Sequence, residues 1–138
     1  MFVISPVRDI DERNKIISDL KITEIPCSFM YSMKDKQSGA LLGASQFDIF
    51  DGYGYIYDLR CATEPFDFEA MFILGRATMN FIDLCDVHIC RIKKDASDGD
   101  LYRAIGFRTE CPDCFECDMT GMFDGNCSSE KKGVSNEI

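Results

Sequence analysis

The sequence predicts a mixed α/β domain built on a mostly antiparallel sheet with helices on both faces. Three observations carry that prediction. Over residues 27–61 apolar and polar positions alternate, and two turn-rich stretches, 35–39 and Asp51-Gly52, cut the run into three strands. Residues 68–85 then change to a dense helical apolar pattern. A further strand at 87–92 follows that helix, and a β-α-β connection of this kind sets its two strands parallel.

The elements follow in order. Phe2-Val3-Ile4 is a short strand candidate. Asp9 with Glu12 three residues later resembles a capping pair and opens a helix to about residue 20, with Ile10, Ile16, Ile17 and Leu20 as its apolar stripe. Phe29, Tyr31 and Met33 alternate with small or polar neighbours in the second strand. Residues 40–50 form the third strand and 53–61 the fourth. Pro65 ends the meander, and Asp67 can cap the long helix, with Glu69 favourably placed in its first turn. Phe68, Met71, Phe72, Leu74, Met79, Ile82 and Leu84 cover most of that helix, which marks it as the buried central one. A short helix runs from Asp98 or Gly99 to a cap at Gly106, and a last hairpin folds 107–109 onto 115–119.

The chain has 138 residues, enough for one domain with one core, assigned to 1–127. Residues 128–138 are polar and aperiodic, and read as a flexible C-terminal tail. Lys plus Arg number 15 against 24 Asp plus Glu, a net charge of −9. That charge disfavours nucleic acid and anionic lipid as partners and favours cationic amines. No stretch reads as a membrane span and no export signal is visible, so a cytoplasmic location with reduced thiols is expected. Cys27, Cys61, Cys85 and Cys90 sit in apolar runs and read as small core hydrophobes.

The segment Leu101-Tyr102-Arg103-Ala104-Ile105-Gly106-Phe107-Arg108 is similar to the Tyr-x-x-x-Gly-Phe segment of the GNAT acetyltransferase superfamily. Gly39-Ala40-Leu41-Leu42-Gly43-Ala44 resembles that family's third strand, and Tyr55-Ile56-Tyr57-Asp58-Leu59-Arg60-Cys61 its fourth. The likeness spans roughly residues 2–123. It implies a GNAT-like acyl-CoA N-acyltransferase fold and an acetyl group passed from acetyl-CoA to a small-molecule or peptide amine. On that resemblance the backbone of Leu59, Arg60 and Cys61 lines the pantetheine cleft of acetyl-CoA or CoA. Tyr102 takes the place of the acid that protonates the departing thiolate, and Asp58 is the candidate base. The plainer readings are a solvated strand residue for Asp58 and a packed amphipathic aromatic for Tyr102.

One segment departs from the family. Where a glycine-rich loop would cradle the CoA pyrophosphate, the chain reads Thr63-Glu64-Pro65-Phe66-Asp67-Phe68-Glu69-Ala70, without glycine and with three carboxylates. Those carboxylates are expected to occupy the helix's free N–H groups and to repel phosphate. This motivates a second reading, a non-catalytic GNAT-like module that binds a ligand or protein. A third is a metal module on Cys111, Cys114, Cys117 and Cys127, whose spacings suit thiolate sites. Zinc or iron is not favoured. No second Cys-x-x-Cys pair follows, the only histidine, His88, falls on a different strand, and odd spacing turns Cys114 and Cys117 to opposite faces.

Overall fold

A computed structural model describes residues 1–95 and 98–124. The expected tail at 128–138, and Cys127 before it, lie outside the described residues. The element order is β1 (Phe2–Pro6), α1 (Ile10–Leu20), β2 (Phe29–Asp35), β3 (Leu41–Phe50), β4 (Tyr53–Cys61), α2 (Phe68–Leu84), β5 (Ile89–Lys93), α3 (Gly99–Ile105), β6 (Thr109–Glu110) and β7 (Cys114–Asp118). The strands form one sheet in the order β1-β2-β3-β4-β5-β7-β6. Only β4 and β5 run parallel, because α2 carries the chain between them; the other neighbours are antiparallel.

Both predicted caps form. The Asp9 carboxylate accepts the Glu12 N–H at 3.1 Å, and that of Asp67 accepts the Ala70 N–H at 3.0 Å. Gly106 ends α3 at φ 137°, a conformation open to glycine. One face of the sheet carries α1, whose Ile16 packs with Ile22, Met30 and Ala44. The other carries α2 and α3 over the main core, including Met33, Phe47, Ile56, Leu59, Leu74, Met79, Ile82 and Ile105. Gly75 lets these two helices close, since a Cβ there would stand 2.7 Å from Ile105 Cδ1. A buried Ser45–Thr78 hydroxyl pair, 2.7 Å apart, joins β3 to α2.

Several packing expectations are corrected. Ile16, Ile17 and Leu20 of the α1 stripe pack inward, but Ile10, the first residue of the helix, is 60% exposed, and Arg13 on the same face is buried. α2 is buried along one face only, and its first and last residues, Phe68 and Leu84, are exposed. Of the four cysteines read as core, Cys90 is buried and Cys61 half-buried, but Cys27 and Cys85 are exposed. Both of the latter stand outside the regular elements, Cys27 in the turn before β2 and Cys85 capping α2. His88 precedes β5 and is held by Asp83 at 2.6 Å and Asp86 at 3.1 Å; these bonds, Asp83's first, push its pKa up.

The close approach of α2 to β3 yields a stability prediction. A Cβ at Gly43 would meet Met71 Cε and lie 2.8 Å from the Arg60 carbonyl oxygen, which is backbone and cannot swing away. Gly43→Ala is therefore expected to lower the unfolding free energy by about 1–3 kcal/mol, read by chemical denaturation. An unchanged midpoint would show that the β3–β4 backbone yields there at no cost.

Candidate functional site

A local irregularity in β4 creates the cleft. Gln46 of β3 pairs with Asp58, whereas the next residue, Phe47, pairs with Ile56. Tyr57 is thus the extra residue of a β-bulge, and bulges bend a strand and re-aim its side chains. Before it, Gly54 and Ile56 face α2; after it, Leu59 does, while Asp58 and Arg60 turn to the α1 side. β5 follows β4 only from Tyr53 to Ile56, then pairs with β7 through Lys93. Beyond Ile56 the two strands part, and β4 keeps only β3 as a ladder neighbour.

α3 closes one side of the gap. Tyr57, Asp58, Leu59, Arg60, Lys93, Lys94, Asp95, Asp98 and Tyr102 line a cleft of about 390 Å³. A second cavity of about 880 Å³, open to solvent, shares Leu59, Arg60, Asp95 and Asp98 and continues past Cys61 to Thr63, Glu64 and Phe66. All five residues singled out in the sequence, Asp58, Leu59, Arg60, Cys61 and Tyr102, therefore meet at this parting of strands.

Tyr102 is 5% exposed, with its ring edge-on to Phe115 at 6.1 Å between centroids. Its hydroxyl has no hydrogen-bond partner among the described residues, an unusual state for a buried phenol. Burial, first, and then the charges of Asp98 and Asp95 push its pKa well above the ordinary tyrosine value; Arg60 opposes them and Asp58 adds to them. Asp98 is itself raised by burial and by Asp95. Asp58 is not solvated as a plain strand residue would be. Its side chain is 14% exposed, Oδ2 accepts from Gln46 Nε2 at 3.0 Å, and Oδ1 lies 3.8 Å from Arg60 Nη2.

Leu59 sends its side chain into the core and leaves its backbone to the cleft. Arg60 Nη1 donates to the Leu20 carbonyl at 3.2 Å, tying β4 to the end of α1. The Cys61 thiol organises the loop before α2. It lies 3.2 Å from Thr63 Oγ1 and accepts the Asp67 N–H at 3.5 Å. At the α2 N-terminus, then, Asp67 N–H is taken by sulfur and Ala70 N–H by the Asp67 carboxylate. Of the three carboxylates expected to cap these donors only Asp67 does so; Glu64 and Glu69 make no hydrogen bond among the described residues. Phe66 and Phe68 are each about half exposed (47% and 46%) and leave the cavity open.

The cysteine hairpin is a separate place. Cys111 N–H donates to the Cys114 carbonyl at 2.9 Å, and Cys114 and Cys117 are buried. Among the described residues no group of three or more His, Cys, Asp or Glu is placed to hold a metal, and Cys127 is outside them. Among the described residues no helix is long and apolar enough to cross a membrane.

Sequence reasoning missed Gln46, Arg13, Asp95 and Asp98. A signal for Gln46 existed: a long amide in the middle of a strand between Ala44 and Phe47, where burial demands several partners. Asp95 and Asp98 carried none, since two aspartates between a strand and a helix read as an ordinary loop.

With seven strands in this order, one parallel step after α2 and the cleft beyond it, the chain has the acyl-CoA N-acyltransferase fold of the GNAT acetyltransferases. It is similar to an N-acetylglutamate synthase of Neisseria gonorrhoeae solved with coenzyme A and N-acetyl-glutamate, at TM-score 0.70 and 10% identity over 86% of this chain and 35% of that one. A Klebsiella pneumoniae protein assigned to the acyl-CoA N-acyltransferases superposes at TM-score 0.67, with 15% identity over 86% of this chain and 98% of that one. An acetyltransferase of the GNAT family from Staphylococcus aureus gives TM-score 0.62 and 6% identity over 85% and 99% of the two chains. No protein-family profile and no curated protein sequence matches the chain. At these identities the likeness is one of fold.

Proposed function

We propose that the protein is an N-acetyltransferase that moves the acetyl group of acetyl-CoA onto an amine in the cleft between β4 and β5. The observation that carries this reading is Tyr102, a buried phenol with no hydrogen-bond partner among the described residues, facing Asp58 across the cleft where β4 loses its parallel neighbour. Solved neighbours with coenzyme A bound support the donor.

The donor's pantetheine arm suits the β4 edge. There the backbone of Leu59, Arg60 and Cys61 has no β5 partner, and an amide-bearing chain can add to it much as a strand would. The pyrophosphate suits the α2 N-terminus poorly, since two N–H groups are engaged and three carboxylates stand near. In the reaction the amine nitrogen bonds to the acetyl carbon and the C–S bond breaks. Tyr102 gives its proton to the leaving sulfur, and Asp58 takes the proton the nitrogen sheds. Water then returns that proton from Asp58 to Tyr102, so the net products are the amide and free CoA. A phenol whose pKa is raised keeps its proton throughout the neutral range, as a donor must.

The occupied N–H groups of α2 favour one alternative, a non-catalytic module that binds a ligand in the same cleft. Titration calorimetry with acetyl-CoA, together with amine-stimulated release of free thiol across a panel of primary amines, separates the two. Binding in the micromolar-to-millimolar range with turnover is expected. No heat at millimolar donor sinks the transferase, and binding without turnover of any amine leaves the module.

A further inference from the structure

Asp58 is held from behind by a fully buried amide whose other end grips a buried cation. Gln46 Oε1 accepts from Arg13 Nη2 at 2.8 Å, Ser28 Oγ at 3.1 Å and the Ile25 N–H at 3.3 Å. Its Nε2 donates to the Thr23 carbonyl at 2.7 Å and to Asp58 Oδ2 at 3.0 Å. The amide has one orientation, because donors surround one end and acceptors the other. Arg13 lies across β3 on α1, 9% exposed, and also donates to the carbonyls of Ser28 and Ile25. Among the described residues no carboxylate pairs with it directly. A guanidinium stays charged when buried, and an uncompensated buried charge is costly. The carboxylate its hydrogen-bond chain reaches is Asp58.

We propose that Arg13 and Gln46 are positioning residues for Asp58, a cation–amide–carboxylate relay that fixes Oδ2 while Oδ1 borders the cleft beside Arg60. This rests on the reading of Asp58 as the base. The relay is charge-assisted at both ends, and such bonds polarise one another through the amide. It explains why α1 buries an arginine. It also supplies positive charge behind a carboxylate that shares its cleft with like charges. Across from Asp58 stand Tyr102 and Asp98 of the α3 region and Asp95; Arg60 is on its own strand, Lys93 ends β5 and Lys94 follows it.

The test uses the free, full-length protein. In the wild type the Gln46 side-chain amide resonances should follow the Asp58 carboxyl titration, observed by carbon-13 NMR. A flat Gln46 response overturns the relay without any variant. Gln46→Glu keeps the volume and an oxygen for Arg13 but turns a second anion onto Asp58, and should move the Asp58 midpoint to higher pH by about one unit or more. Arg13→Met should move it the same way by less. An unmoved midpoint in a folded variant overturns the proposal. The acid limb of kcat/KM should shift with the NMR midpoint in the same variants. If the midpoint moves and the limb does not, Asp58 is positioned as proposed and the base is another group. Both moving together supports both.

Discussion

Tyr102→Phe is expected to lower the acetyl-CoA-dependent rate by about 10²–10⁴ through kcat, with KM for the donor nearly unchanged. The hydroxyl touches no other described polar group, so its loss strands no partner. The ring keeps its edge-on contact with Phe115 and its place among Leu101, Ile105 and Phe107. Stability should therefore stay level or rise slightly, since a buried hydroxyl without a protein partner gives way to plain hydrocarbon. That pairing of outcomes distinguishes a proton donor from a packed aromatic. A packing role predicts a loss of stability and little change in chemistry. The pH dependence has a definite sign. The acid must be protonated to work, and burial with the charges of Asp98 and Asp95 raises its pKa above 10. No alkaline decline from Tyr102 should appear below about pH 10 in the wild type. A full-rate Tyr102→Phe variant would remove Tyr102 from the mechanism.

The order of elements was legible because local chemistry announces it. Asp9 and Asp67 cap their helices, Asp51-Gly52 turns a hairpin with positive φ at both residues, and Gly106 ends α3. The parallel step followed from a helix lying between two strands. The cleft was reachable only through the resemblance, and its cause was not written locally. The bulge at Tyr57 is a mismatch between two strands, and no periodicity within 53–61 reveals it. The same holds for Arg13: nothing near it in sequence shows that it joins Ile16, Ile17 and Leu20 on the inner face of α1, because the partner that draws it inward, Gln46, lies 33 residues on. Likewise Cys27 and Cys85 lie in apolar stretches but outside the regular elements, where neighbours in sequence do not become neighbours in space.

Replacing Glu64 and Glu69 together by glutamine should tighten CoA binding about tenfold while leaving the binding of pantetheine, which carries no phosphate, unchanged. Two carboxylates near a pyrophosphate, each contributing about 0.7 kcal/mol of repulsion in a solvent-screened setting, sum to about 1.4 kcal/mol, one decade in Kd. Asp67 is left in place because it caps Ala70, and removing that cap would cost about 1 kcal/mol of helix stability and confuse the reading. Glu64 and Glu69 serve no such purpose, since neither makes a hydrogen bond among the described residues. Stability of the double variant should accordingly match the wild type. Salt supplies the internal control. At about 1 M the screening length falls to about 3 Å, so the gap between wild type and variant should close. An equal Kd for CoA in both proteins at low salt would place the pyrophosphate away from the α2 N-terminus. A donor that enters this cleft must then bind by another route than the fold's usual one, and the acidic loop ceases to be the reason for weak binding.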